Sequence, residues 1–238
     1  MTTINDHREP QTSITLNINE KWFGETKILA PIKLTLAKGS FNVITGPSGG
    51  GKTTLLRIIA GLEPAHIDGS NQYFQTGLKI GLAFQEPRLL PWRSLRDNLS
   101  LIGISPDQTA ALLSEMGLTD AADLFPGQVS LGMARRASLA RAYAIEPELL
   151  LLDEPLVSLD ESTAQSLRDH LITFWQRQQP TVLMVTHNLR EALQMADTII
   201  LLNGTPAAVE TILHYKQLRE LRSSAWINTE LRKLESHL

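Results

Sequence analysis

The run Gly46-Pro47-Ser48-Gly49-Gly50-Gly51-Lys52-Thr53 constrains this chain more than any other feature. It matches the pattern G-x-x-x-x-G-K-[ST], in which glycines let backbone N–H groups converge on the phosphates of a nucleotide. Residues 41–45 before it read as a strand, and residues 52–60 after it read as a helix with Gly61 as its C-cap. That setting is what such a loop requires, because the helix offers its positive N-terminal end to the same anion. Lys52 is then placed to reach the β- and γ-phosphates, the Thr53 hydroxyl to ligate Mg²⁺, and Thr54 to lie beside them in the binding loop.

A second feature falls about a hundred residues on. Leu149-Leu150-Leu151-Leu152 is an apolar run that ends in Asp153-Glu154-Pro155. A short, fully apolar strand is buried on both faces, as in a parallel sheet. Its carboxylates therefore stand at the carboxyl edge of the sheet, where open α/β folds bind ligands. Asp153 is the candidate Mg²⁺ residue and Glu154 the candidate for polarising an attacking water. Residues 13–18, 32–36, 79–84, 182–185 and 198–202 read as further strands, with Lys38-Gly39 as a turn, and residues 162–176 read as a helix.

Residues 86–146 change character. Pro87, Pro91, Pro106 and Pro126 punctuate short helical patterns there, and strand signals nearly vanish. The stretch is expected to be a helical subdomain inserted into a nucleotide-binding core formed by residues 12–85 and 147–213. An arm over residues 1–11 and a helical tail over 214–238 complete the expected division. Ile227, Leu231, Leu234 and Leu238 share the spacing of one helix face in that tail.

Composition narrows the classes. The 22 basic and 25 acidic residues give a net charge of −3, without the basic excess of a nucleic-acid binder. Cysteine is absent, which excludes disulfides and thiolate metal sites. Apolar runs stay far short of the roughly 18 residues needed to cross a bilayer, so any membrane association is expected through a partner.

Together these motifs resemble the ATP-binding cassette (ABC) ATPases over nearly the whole chain. The resemblance implies a P-loop NTPase core of the α/β class, with a mostly parallel sheet, an N-terminal antiparallel β region and the inserted helical subdomain. Gln85 in Ala83-Phe84-Gln85-Glu86 resembles the glutamine that contacts Mg²⁺ or the attacking water. Ser158-Leu159-Asp160 resembles the family's D-loop, and His187 resembles the histidine that touches the γ-phosphate. Phe23, 23 residues before Gly46, resembles the aromatic that stacks on adenine, with Trp22 as its competitor.

The departure from the family lies at its Leu-Ser-Gly-Gly-Gln stretch, which here reads Val129-Ser130-Leu131-Gly132-Met133. In the family this helix start binds the γ-phosphate held by a second copy. Ser130 and Gly132 keep the main donors, whereas Leu131 and Met133 replace glycine and glutamine. A leucine whose backbone is ordinary helix is tolerated here; one that distorts the helix start weakens the contact across the dimer.

Gln85-Glu86-Pro87-Arg88-Leu89-Leu90-Pro91-Trp92-Arg93 is similar to the corresponding segment of nitrate, sulfonate and taurine importers. It implies a docking surface for transmembrane permease subunits, with a solute-binding protein as indirect partner. The implied place is the cytoplasmic face of the inner membrane. The competing class, an ABC-type ATPase acting on DNA or ribosomes, would bring two cassettes, a coiled-coil insertion or a basic surface. A small-molecule kinase would leave Ser130, the D-loop and His187 unexplained.

Overall fold

The computed structural model describes residues 13–65 and 78–235. The expected arm over residues 1–11 and Leu238 of the tail lie outside the described residues. The centre of the molecule is a six-stranded sheet in the order β10-β9-β5-β8-β7-β6. Here β5 is Phe41–Thr45, β6 Ile80–Ala83, β7 Leu149–Asp153, β8 Thr181–Val185, β9 Thr198–Asn203 and β10 Ala208–His214. The strands β5 to β9 run parallel and β10 closes one edge antiparallel to β9.

Every residue of β5, β7 and β8 is buried, which is why 149–152 and 182–185 read as unbroken apolar runs; β5 buries the polar Asn42 and Thr45 as well. The pleat divides them between two cores. Phe41, Val43, Leu150, Leu152, Val182 and Met184 face one side. Ile44, Leu149, Leu151, Leu183 and Val185 face the other. Each of these large apolar side chains stabilises the fold by about 2 kcal/mol when fully buried.

The second side is covered by α1 (Lys52–Ile59) and by an antiparallel pair, β1 (Ser13–Ile18) with β4 (Ile32–Ala37). In β4 buried Ile32, Leu34 and Leu36 alternate with exposed residues, so one face meets α1 and the other meets solvent. The first side is covered by helices: α2 (Leu95–Ser100), α3 (Pro106–Glu115), α4 (Leu131–Tyr143), α5 (Glu161–Gln178), α6 (Leu189–Met195) and α7 (Ser224–Glu235). The result is the expected α/β class, a mostly parallel sheet with an antiparallel β layer from the N-terminal part of the described chain. Residues 86–146 carry α2, α3, α4 and two short 3-10 turns, and no strand. In α7, Ile227 and Leu234 are buried and Leu231 is partly so.

Four elements had no signal strong enough to read. Strands β2 (Lys21–Phe23) and β3 (Thr26–Leu29) form a hairpin of three and four residues, too short and too charged to show period two. The edge strand β10 is half exposed throughout and breaks register between Val209 and Thr211. Helix α6 spans seven residues, about two turns.

Candidate active site

The glycine loop links β5 to α1 at the carboxyl edge of the sheet. Gly51 is the N-cap of α1 with φ 74°, and a Cβ there would lie 2.6 Å from Leu29 Cδ2. Glycine is thus required both by the left-handed backbone and by the close approach of β3. The loop forms a cleft of about 370 Å³ lined by Ser48 to Thr54, with Ile28, Phe23 and Glu154 completing it.

Lys52 is buried, and its Nζ donates to the carbonyl oxygens of Gly46 (3.0 Å) and Pro47 (2.7 Å). Burial lowers its pKa, while Glu154 and Asp153 act to raise it. The ammonium is therefore held inside the loop with a cost that an anionic ligand would relieve. Phe23 comes to the cleft from the β2–β3 hairpin and is half exposed. Trp22 is not among the residues that line it; its ring instead faces Lys27 Nζ at 5.6 Å.

The two carboxylates at the end of β7 differ sharply. Asp153 is buried and accepts from the Thr53 hydroxyl at 2.9 Å. Burial raises its pKa, against the lowering effect of that hydrogen bond. Thr53, Gln85 and Asp153 line an adjoining pocket of about 230 Å³. Beside the guanidinium groups of Arg57 and Arg88, it offers oxygens from a hydroxyl, an amide and two carboxylates, Asp153 and Glu86. They suit a hard cation such as Mg²⁺, which takes one or two carboxylates and completes its shell from substrate phosphates and water. Among the described residues no group of three or more acids and histidines forms an all-protein cage.

Glu154 turns away from the strand with φ 45°, its N–H donating to the Val185 carbonyl at 2.9 Å. Its Oε1 lies 3.2 Å from His187 Nδ1. His187 follows β8 in a turn that is itself braced. The Thr186 hydroxyl donates to Glu191 (2.9 Å), Asn188 Nδ2 donates to the same carboxylate (3.0 Å), and Asn188 caps α6. Gln85, Asp153, Glu154 and His187 therefore gather around one phosphate-binding loop.

The remaining sequence candidates stand elsewhere. Residues 130–133 and 158–160 do not line the cleft. Ser130 is the N-cap of α4, its Oγ accepting from the Met133 N–H at 3.2 Å. Leu131 is the first residue of α4 and is 45% exposed. Its backbone is helical, so its Cβ carries no strain. Gly132 is tightly placed, because a Cβ there would lie 2.5 Å from Thr163 Cγ2 of α5. Asp160 caps α5 through the Thr163 N–H (3.0 Å), and the hydroxyls of Ser162 and Thr163 hold its carboxyl well below the usual range. Ser158 has φ 59°.

Two residues were not legible as part of the site. Glu191 braces the His187 turn, and the signal was the cap pattern Asn188-x-x-Glu191 after a strand. Arg135, on α4, is buried and donates to the carbonyls of Pro155 (3.3 Å) and Val157. It ties the Ser130 helix to the turn that follows Glu154.

The family model for ABC transporters matches residues 29–157. The chain belongs to the ABC transporter family. It is an ATP-binding subunit of that family, an ATPase, as the motifs implied. The cassette is 39% identical over 213 residues to an aliphatic sulfonates import ATP-binding protein of Burkholderia lata, covering 86% of this chain and 78% of that one. A protein of the same description from Frankia alni is 42% identical over 194 residues, covering 80% and 77%. Among solved structures, a dimeric ATP-binding cassette in a post-hydrolysis state with ADP and Pi superposes with a TM-score of 0.71. It is 26% identical and covers 87% of this cassette and 99% of its own chain. No described helix is long and apolar enough to cross a membrane.

Proposed function

We propose that this cassette powers the import of a small solute: an aliphatic sulfonate, taurine, nitrate or a related one. The observation that carries the chemistry is the 3.2 Å contact between Glu154 and His187 beside the phosphate loop. Glu154 accepts a hydrogen bond from the attacking water, and His187 holds that carboxylate while its ring reaches toward the γ-phosphate. Lys52 leaves the loop carbonyls for the β- and γ-phosphates, and Phe23 stacks on the adenine. Mg²⁺ would be held by Thr53 and Asp153 with Gln85 beside them, and would neutralise charge on the phosphates.

Ser130 to Met133 and the 158–160 turn serve the nucleotide of a second copy. Their place away from this chain's own cleft supports that reading, as does the dimeric cassette of similar fold. The N–H groups at the start of α4 are then donors across the dimer. Residues 88–93 receive the permease, which places the cassette at the cytoplasmic face of the inner membrane with a solute-binding protein as indirect partner. The import reading rests on the relatives' descriptions and on this segment; nucleic acid is not a partner.

The chemistry is tested with Glu154→Gln. Turnover should fall about a hundredfold or more, ATP affinity should persist, and light scattering should show an ATP-dependent dimer. Unimpaired turnover removes Glu154 from the mechanism. The import reading is tested by purifying the native complex and assaying uptake of taurine, ethanesulfonate and nitrate in vesicles. A complex without membrane subunits would end it.

A further inference from the structure

The hairpin that brings Phe23 to the cleft is fastened near both ends of α1. At the start of that helix, Leu29 of β3 lies so close to Gly51 that a Cβ there would meet its Cδ2 at 2.6 Å. Just beyond the end of the helix, Lys21 of β2 grips the chain. Its Nζ donates to the Pro64 carbonyl at 2.7 Å and pairs with Glu63 Oε1 at 3.0 Å. Lysine is almost never fully buried unless paired, and Lys21 is 7% exposed.

The same Nζ stands 4.6 Å from the centroid of the Phe23 ring, within cation–π range. An ammonium has three donors. Pro64 and Glu63 take two, and the ring is a third electron-rich partner. Phe23 is nonetheless 48% exposed and lines the nucleotide cleft, which Lys21 does not. One face of the ring is therefore covered by a fixed cation, and the exposed remainder meets the cleft.

We propose that Lys21 is a positioning residue for the base of the nucleotide. It pins the Phe23 ring relative to the phosphate loop. It also draws π-electron density toward its own face, which makes the opposite face a better partner for an electron-rich purine. Lys21 acts through the ring alone, so the phosphates are held without it. The inference rests on the reading that Phe23 stacks on adenine.

The test is calorimetric titration of the full chain with ADP, and separately with inorganic pyrophosphate, each with Mg²⁺. The ratio of the two affinities measures what the nucleoside adds to its phosphates. Phe23→Ala should lower that ratio at least about fivefold. Lys21→Met, which keeps the stem and removes the charge, should lower it about threefold or more, with pyrophosphate affinity unchanged. In the Phe23→Ala background the same change should have no further effect. Glu63→Ala, which loosens the ammonium from outside the hairpin, should lower the ratio about twofold. A ratio that ignores Phe23→Ala would remove Phe23 from the base site, and the role of Lys21 with it. A ratio that falls with Phe23→Ala but holds in Lys21→Met or Glu63→Ala, whichever keeps a native thermal midpoint, would overturn the role of Lys21 alone. So would a loss shared equally by ADP and pyrophosphate, or an undiminished loss in the Phe23→Ala background.

Discussion

Lys52 and Leu131 show how single residues set the terms of this site. The Lys52 ammonium is buried against two loop carbonyls, where its charge is poorly solvated. It is thus held ready for an anion, and its loss removes charge-assisted hydrogen bonds worth about 1.5–3 kcal/mol each. Lys52→Ala should lower ATP affinity, turnover or both by at least about tenfold, measured with Mg²⁺ on folded protein; wild-type values for both would remove the loop from the chemistry. Leu131 poses the opposite question, since it replaces a glycine of the family pattern. It begins an ordinary helix and exposes its side chain, so glycine has no strain to relieve. Leu131→Gly should leave steady-state ATPase within about tenfold of wild type, a window of 1.4 kcal/mol, and cost up to about 1 kcal/mol of stability. A larger gain in rate across protein concentrations would mean that Leu131 restrains the dimer contact.

At the scale of elements, the Ser130 helix is positioned by two contacts that a sequence does not display. Arg135 bonds the carbonyls after Glu154, and Gly132 lets α4 close on Thr163 of α5. Gly132→Ala should cost about 1–3 kcal/mol through overpacking, read as a shift in urea midpoint. Thr163→Ser, which removes the methyl group and keeps the hydroxyl on Asp160, should restore most of it. An alanine variant as stable as wild type would show that the two helices have slack. Strands β7, β8 and β9 were legible because burial on both faces leaves an apolar run, and the phosphate loop because its chemistry fixes residue types at fixed spacing. The β2–β3 hairpin was not, since three- and four-residue strands carry too little pattern, although Phe23 was found by its distance from Gly46. Arg135 and Glu191 were missed for different reasons. Arg135 acts through contacts with a distant segment, and its residue type alone is what an exposed helix face would also show; Glu191 bonds Thr186 and Asn188 nearby, and its cap spacing was the signal passed over.

At the scale of the whole molecule, three surfaces bear on function: the glycine-loop cleft, the start of α4, which does not line that cleft, and the 88–93 segment, whose Arg88 lines the adjoining pocket. This segment was expected to be a docking surface, and the structure divides its large apolar residues. Leu89 packs against the helical core, Leu90 is partly buried, and Trp92 is 70% exposed. Asn98, fully buried, fixes the loop by bonding the backbone of Leu90, Arg93 and Ser94, so Trp92 is presented on a rigid turn. Arg141 of α4 holds the preceding residues through the carbonyls of Pro87 and Arg88. A rigid exposed tryptophan is the kind of side chain that dominates a protein interface, losing about 2 kcal/mol or more on truncation. Trp92→Ser should therefore leave the basal ATPase and thermal midpoint of the isolated cassette unchanged. Its affinity for the co-purified membrane subunits should fall about twentyfold or more, measured by reassembly in detergent. Normal assembly with a serine at this position would move the permease contact off the 88–93 turn, whereas a loss of basal ATPase would place Trp92 in the cassette's own conformational coupling.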